Sequence, residues 1–183
     1  MAERDNMNSA HSHSVLDPLR AKLSAYDGKA TTFLGEAEAA LSGEDGYLGA
    51  LVSLLGEEEG HLASGASWLL KSALEQGRAL SEGQIEALAD QLPEITDWAT
   101  QLHICQSVRL LTVSAGSAQR LADWLAALLD HQRPFLRAWS LDALGALAKA
   151  HCEHRPAFNV ALALAQDDEA ASVRARARNL KAL

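Results

Sequence analysis

Residues 124–136 read WLAALLDHQRPFL, an apolar helix end, a polar turn, and a proline that opens the next apolar stretch. An apolar helix end, a polar turn and a new apolar start also stand, without the opening proline, one step earlier at 87–98 (ALADQLPEITDW), two steps earlier at 50–62 (ALVSLLGEEEGHL), and one step later at 161–173 (ALALAQDDEAASV). Leu51, Leu88, Leu125 and Leu162 are 37 residues apart, and so are Ala50, Ala87, Trp124 and Ala161. Glu57, Glu94, His131 and Asp168 keep the same step in the turns. The following helices begin their apolar faces at Leu62, Trp98, Leu136 and Val173, at intervals of 36, 38 and 37. A fixed period with its turns in register is the signature of stacked supersecondary units. The expected fold is therefore all-α, an α-solenoid of about five helix pairs.

Working outward, the turn residues divide the chain into ten expected helices, near 15–25, 29–41, 44–55, 58–76, 81–92, 95–112, 117–130, 134–150, 155–166 and 169–182. Asp17-Pro18 reads as a cap followed by proline at the first helical position, Pro134 and Pro156 open helices, and Pro93 closes one. Gly28, Gly43, Gly56, Gly77 and Gly116 fall between apolar-periodic stretches. Ser81-Glu82-Gly83-Gln84 has the form of a capping box. No window alternates apolar and polar residues with period two, so no strand is expected.

Composition bounds the class. The 183 residues are 48% hydrophobic and 22% charged, which suits one globular domain over 15–183 behind a polar, disordered tail at 1–14. No run approaches the roughly 18 apolar residues of a membrane span. The opening MAERDNMNSAHSHS lacks a signal-peptide core, and two cysteines make no disulfide framework, so a cytoplasmic location is expected. The net charge of −8 is unevenly spread: residues 1–100 carry 6 Lys and Arg against 17 Asp and Glu, whereas 101–183 carry 10 against 7. An acidic chain argues against general nucleic-acid binding, which draws its affinity from phosphate contacts.

The stretch Leu136-Arg137-Ala138-Trp139-Ser140-Leu141-Asp142-Ala143-Leu144-Gly145-Ala146-Leu147 resembles the second helix of a HEAT repeat, with its V-R-x-x-A-x-x-A-L-x-x-L pattern, and Val173-Arg174-Ala175-Arg176-Ala177 resembles it again. The likeness is carried by 116–183; Ala63 and Ala99 stand where the earlier units would have the arginine. In that family an aspartate sits in the turn six residues before the arginine, and the two form a ladder along the array. Asp168 and Arg174 have that spacing, while His131 stands six before Arg137. The resemblance to HEAT and armadillo arrays implies a non-catalytic scaffold that binds a protein or peptide on a concave face made by second helices. Two other readings stay open: an enzyme, since some HEAT-like families are DNA glycosylases or bilin lyases, and a subunit that assembles head to tail through its acidic and basic halves.

Aligning the second helices puts the core at offsets 0, 4, 7, 8 and 11 and leaves offsets 3 and 6 for the concave surface. The candidate partner-binding residues are Trp68, Gln101, Trp139, Asp142 and Arg176, the tryptophans as anchors and the polar residues as rim. Trp98 and Trp124 fit core or inter-repeat positions, and Phe33 and Leu34 an inward-facing first pair. Cys105 falls on a core stripe and cannot share a helix face with His103. Glu57-Glu58-Glu59 and Asp167-Asp168-Glu169 read as acidic helix openings that favour the macrodipole. Arg174, Arg176, Arg178 and Lys181 fan around the last helix, as a cap on the array. His151, Cys152 and His154 form a plain turn, so no catalytic residue, cofactor or metal is expected. Treatment with a chelator should leave the melting temperature unchanged; stoichiometric zinc in carefully purified protein would overturn that reading.

Overall fold

The computed structural model describes residues 15–59 and 61–183, so the expected tail at 1–14 lies outside the described residues. Ten helices and no strand are present among them. They are α1 over 15–23, α2 Thr31–Leu41, α3 Tyr47–Ser53, α4 Leu62–Glu75, α5 Glu82–Gln91, α6 Trp98–Ser107, α7 Ala115–Leu128, α8 Pro134–Ala150, α9 Arg155–Ala165 and α10 Ala171–Asn179. Contacts divide the chain into two compact units, residues 1–100 and 101–183. The division falls where the charge balance changes sign.

Local chemistry accounts for the helix ends. The capping box forms: the Ser81 hydroxyl accepts from the Gln84 N–H, and the Ser81 N–H donates to Gln84 Oε1 at 2.9 Å. The Asp97 carboxylate accepts from both the N–H and the hydroxyl of Thr100, each at 2.7 Å, and so starts α6 at Trp98. Pro134 and Pro156 occupy first-turn positions as expected. Asp17 and Pro18 lie inside the helical stretch 15–23, so Asp17 is no cap there. Gly116 lies in the first turn of α7, because Ser114 is extended and the helix begins one residue before the glycine.

The acidic runs do not open helices; α4 and α10 begin only at Leu62 and Ala171. Their side chains are engaged elsewhere. Glu57 pairs with Arg20 at 2.6 Å. The Asp168 carboxylate accepts from the Ala170 N–H at 2.7 Å just ahead of α10 and also binds Arg137.

The 37-residue register runs through the packing. Leu51, Leu88, Leu125 and Leu162 are all buried, as are Leu62, Leu136 and Val173 at the head of the second helices. Trp98 departs from the pattern at 43% exposed, because it is the first residue of α6 beside its cap. Phe33 is likewise turned outward, at 42% exposed, while Leu34 is fully buried. In residues 1–100, α3 packs against its pair-mate α4 and the next first helix α5, and α2 against α4. In residues 101–183, α8 packs against α7, α9 and α10. The approach of α9 is close: a Cβ on Gly145 would come within 2.8 Å of the buried Phe158 ring.

Polar contacts repeat the register. Glu38 accepts from Ser72 and Gln76, Arg78 donates to the Ser42 carbonyl, and the Gln91 amide joins Val52 and Gly56. With Arg20–Glu57, Arg137–Asp168 and Arg176–Asp142, these pairs lie 31 to 39 residues apart, about one unit.

Arg137 is the most fully engaged of these groups. Its Nε and Nη2 hold both oxygens of Asp168 at 2.9 and 2.8 Å, and Nη1 donates to the His131 carbonyl at 2.9 Å. One unit on, Arg174 Nη1 donates to the Asp168 carbonyl at 2.6 Å, the same six-residue reach-back. The partner of the Asp168 carboxylate is therefore Arg137 and not Arg174, six residues on. The Asp168 carboxylate faces the preceding unit and takes Arg137, leaving Arg174 the main chain of its own turn.

The bidentate bond from Arg137 holds the Asp168 carboxyl below the usual range. A carboxylate with a lowered folded pKa contributes fully above its unfolded value of about 3.9, and the contribution fades as pH falls through the folded value. Urea unfolding should therefore give an Arg137–Asp168 coupling of about 1–2 kcal/mol at pH 7, shrinking below about pH 4. Additivity of Arg137→Ala and Asp168→Asn at neutral pH would contradict the ladder.

Candidate binding groove between helices α8 and α10

Helix α8 has two faces. Leu136, Leu144 and Leu147 are buried, whereas Phe135, Trp139 and Asp142, spaced by four and three residues, form a second stripe. Helix α10 does the same, with Val173 and Ala177 buried and Ser172, Arg176 and Asn179 in the stripe. Each stripe residue of α10 stands 37 positions after its counterpart in α8. Phe135 and Trp139 of α8 and Ser172, Arg176 and Asn179 of α10 line a groove of about 310 Å³, with Ala138 and Ala175 also in its wall.

The chemistry of the groove centres on Trp139. The Arg176 guanidinium lies 4.0 Å above its ring centroid, and Arg176 Nη1 donates to Asp142 Oδ1 at 3.0 Å. Arg109, from the 3-10 turn Val108–Leu110, stands 5.9 Å from the same ring. A cation over an indole face is attracted by the ring quadrupole, and the ion pair with Asp142 fixes the cation there. The half-buried indole is thus held in one orientation. Phe135, 64% exposed, stands at the groove's edge as an apolar surface with water on most sides.

Of the residues selected from sequence, Trp139, Asp142 and Arg176 converge. Trp68 is half-buried in α4, and Gln101 is buried in α6 at 8% exposure. Neither lines this groove. Gly65, in the slot equivalent to Trp139, is pressed against Leu23, Tyr26 and Leu34 of the preceding pair. Phe135, Arg109, Ser172 and Asn179 were not selected. Three of them were legible, because extending the offset-3 and offset-6 stripe back by one turn reaches Phe135 and Ser172, and Asn179 is at offset 6. Arg109 lies in a turn outside any periodic face.

Other candidate chemistry is placed as follows. Cys105 is buried, and burial pushes its thiol pKa up, which leaves it no nucleophile at neutral pH. His151 Nδ1 stands 3.8 Å from Glu153, His154 is buried, and Cys152 is exposed. No group of three or more His, Cys, Asp or Glu side chains among the described residues could hold a metal ion. No helix among them is long and apolar enough to cross a membrane. In α10, Arg174 is bound to carbonyls and Arg176 to Asp142 and Trp139, while Arg178 and, beyond the helix, Lys181 are exposed. Comparison with known proteins returns no matching family model, no matching curated protein and no matching solved structure.

Because Trp139 is half-buried, Trp139→Ala should cost about 1–2 kcal/mol, less than the ~3–5 of a fully buried tryptophan. Arg176→Ala should add little to it, since the two share one contact. Urea denaturation of the single and double variants checks both; a loss above ~3 kcal/mol, or full additivity, would make Trp139 an ordinary core residue.

Proposed function

We propose that this chain is a non-catalytic scaffold of HEAT-like character, an α-solenoid whose second helices hold a protein or peptide, with the groove of Phe135, Trp139 and Arg176 as its anchor site. The observation that carries this reading is the stacking of Trp139 on Arg176, equivalent positions of consecutive 37-residue units. Nearest-neighbour stacking of that kind is how repeat arrays build extended binding surfaces. Chemistry supports the same reading. An immobilised indole next to an exposed phenyl ring, bordered by arginine, has the composition of an interaction hot spot. A rigid aromatic anchor also loses little conformational entropy when a partner docks.

The alternative of end-to-end self-association is favoured by one observation, the change of charge sign at the boundary between the two units. Such contacts would be heterologous, and they would weaken with salt.

The test is affinity capture from the source organism's lysate on immobilised full-length protein, with Phe135→Ala and Trp139→Ala protein as parallel baits. The expected outcome is a protein whose recovery falls by about tenfold or more on both variants, as for loss of a hot-spot residue, while their circular dichroism stays native. Equal recovery on all three baits would overturn the groove assignment. Capture of only the chain itself, in a salt-sensitive manner, would favour self-association.

A further inference from the structure

A second hollow lies on the other side of α8. Arg137 and Leu141 are each two positions from Trp139, so they point away from the Trp139 groove. Together with α7 and α9 they line a depression of about 560 Å³. Its walls are apolar: Ala126 from α7, Leu129 just after it, and Val160, Ala161 and Leu164 from α9. Val160 and Leu164, one helical turn apart, are 62% and 72% exposed. Scattered apolar surface residues need no explanation, but these two stand in line beside an open apolar hollow.

The charged residues in the lining are Asp130, Arg137 and Asp168. Asp130 is exposed in the turn after α7. Asp167 is exposed just beyond the end of α9. Helices α7 and α9 end at Leu128 and Ala165, and Arg137 ties the two following turns together through the His131 carbonyl and Asp168. Two helix C-termini, each the negative end of a macrodipole, thus meet at the same place. The one cation in the lining is Arg137, and its charge is matched by Asp168 and Glu169.

We propose that this hollow is a docking site for an amphipathic helix of a partner protein, with two large apolar residues one turn apart and a lysine or arginine that meets Asp130 and Asp167. The apolar pair fills the gap between α7 and α9 beside Val160 and Leu164, in the manner of a helix laid into a groove. The basic residue is drawn to the acidic end, where the carboxylates and the helix dipoles act together. The site is independent of the Trp139 groove and of the function proposed for it.

The test uses a display library of randomised helical peptides, panned on the full chain and counter-selected on the Leu164→Glu variant. Both Val160 and Leu164 are exposed, so Val160→Glu and Leu164→Glu should keep the native melting temperature. Retained peptides are expected to carry paired apolar residues at i and i+4 and a net positive charge. By fluorescence anisotropy they should bind the wild-type chain at least about tenfold more tightly than either glutamate variant. Asp130→Asn with Asp167→Asn should weaken them about threefold or more and reduce their salt dependence, and Phe135→Ala should leave them unchanged. A pool that cannot be separated from Leu164→Glu binders, a retained pool that is acidic, or affinities indifferent to the aspartate changes would each overturn the proposal.

Discussion

Arg137 holds two turns at once. Its guanidinium reaches back to the His131 carbonyl in the turn before α8 and forward to Asp168 in the turn before α10. A buried arginine is tolerated only when its charge is matched and its donors are used, and here both conditions are met by groups one repeat apart. The bidentate fork admits a narrow range of positions for the carboxylate, so it fixes the step from one helix pair to the next more tightly than leucine packing could. Apolar contacts hold α8, α9 and α10 together, and the arginine sets their register.

The surfaces of residues 101–183 follow from that step. With α10 displaced by one unit along α8, Arg176 comes to rest on Trp139 and within reach of Asp142. The Trp139 groove is therefore a by-product of stacking equivalent positions. On the far side of α8 a hollow opens between α7 and α9, with Arg137 in its lining. Two grooves of different character thus flank α8, one aromatic with arginine at its border and one aliphatic with Asp130 at its rim.

Much of the fold was legible in the sequence because the period is carried by leucines that must be buried. Every expected helix exists, and the errors lie at ends, where a side chain's partner is distant in sequence. Glu57 and Asp168 read as helix openers only while Arg20 and Arg137 are out of view. The ladder was misread for the same reason: six residues separate Asp168 from Arg174, but the carboxylate points to an arginine 31 residues away. Periodicity says which face a residue occupies and not what the next unit presents to it. Trp139, Asp142 and Arg176 meet in space because equivalent slots of α8 and α10 lie side by side. Gln101 occupies an equivalent slot and is buried, since the neighbours of a slot change from unit to unit. Phe135 adjoins Leu136, where the core stripe begins, so periodicity alone does not separate the two.

The side-chain Nε–H of Arg137 offers the most direct test of this account, through its exchange with solvent measured by NMR. An Nε–H donating to Asp168 from a buried site should give a resolved, slowly exchanging resonance, and Asp168→Asn should speed that exchange. Exchange as fast as that of the exposed Arg178 would mean that Arg137 does not bridge the two turns, and that the register is set by something else.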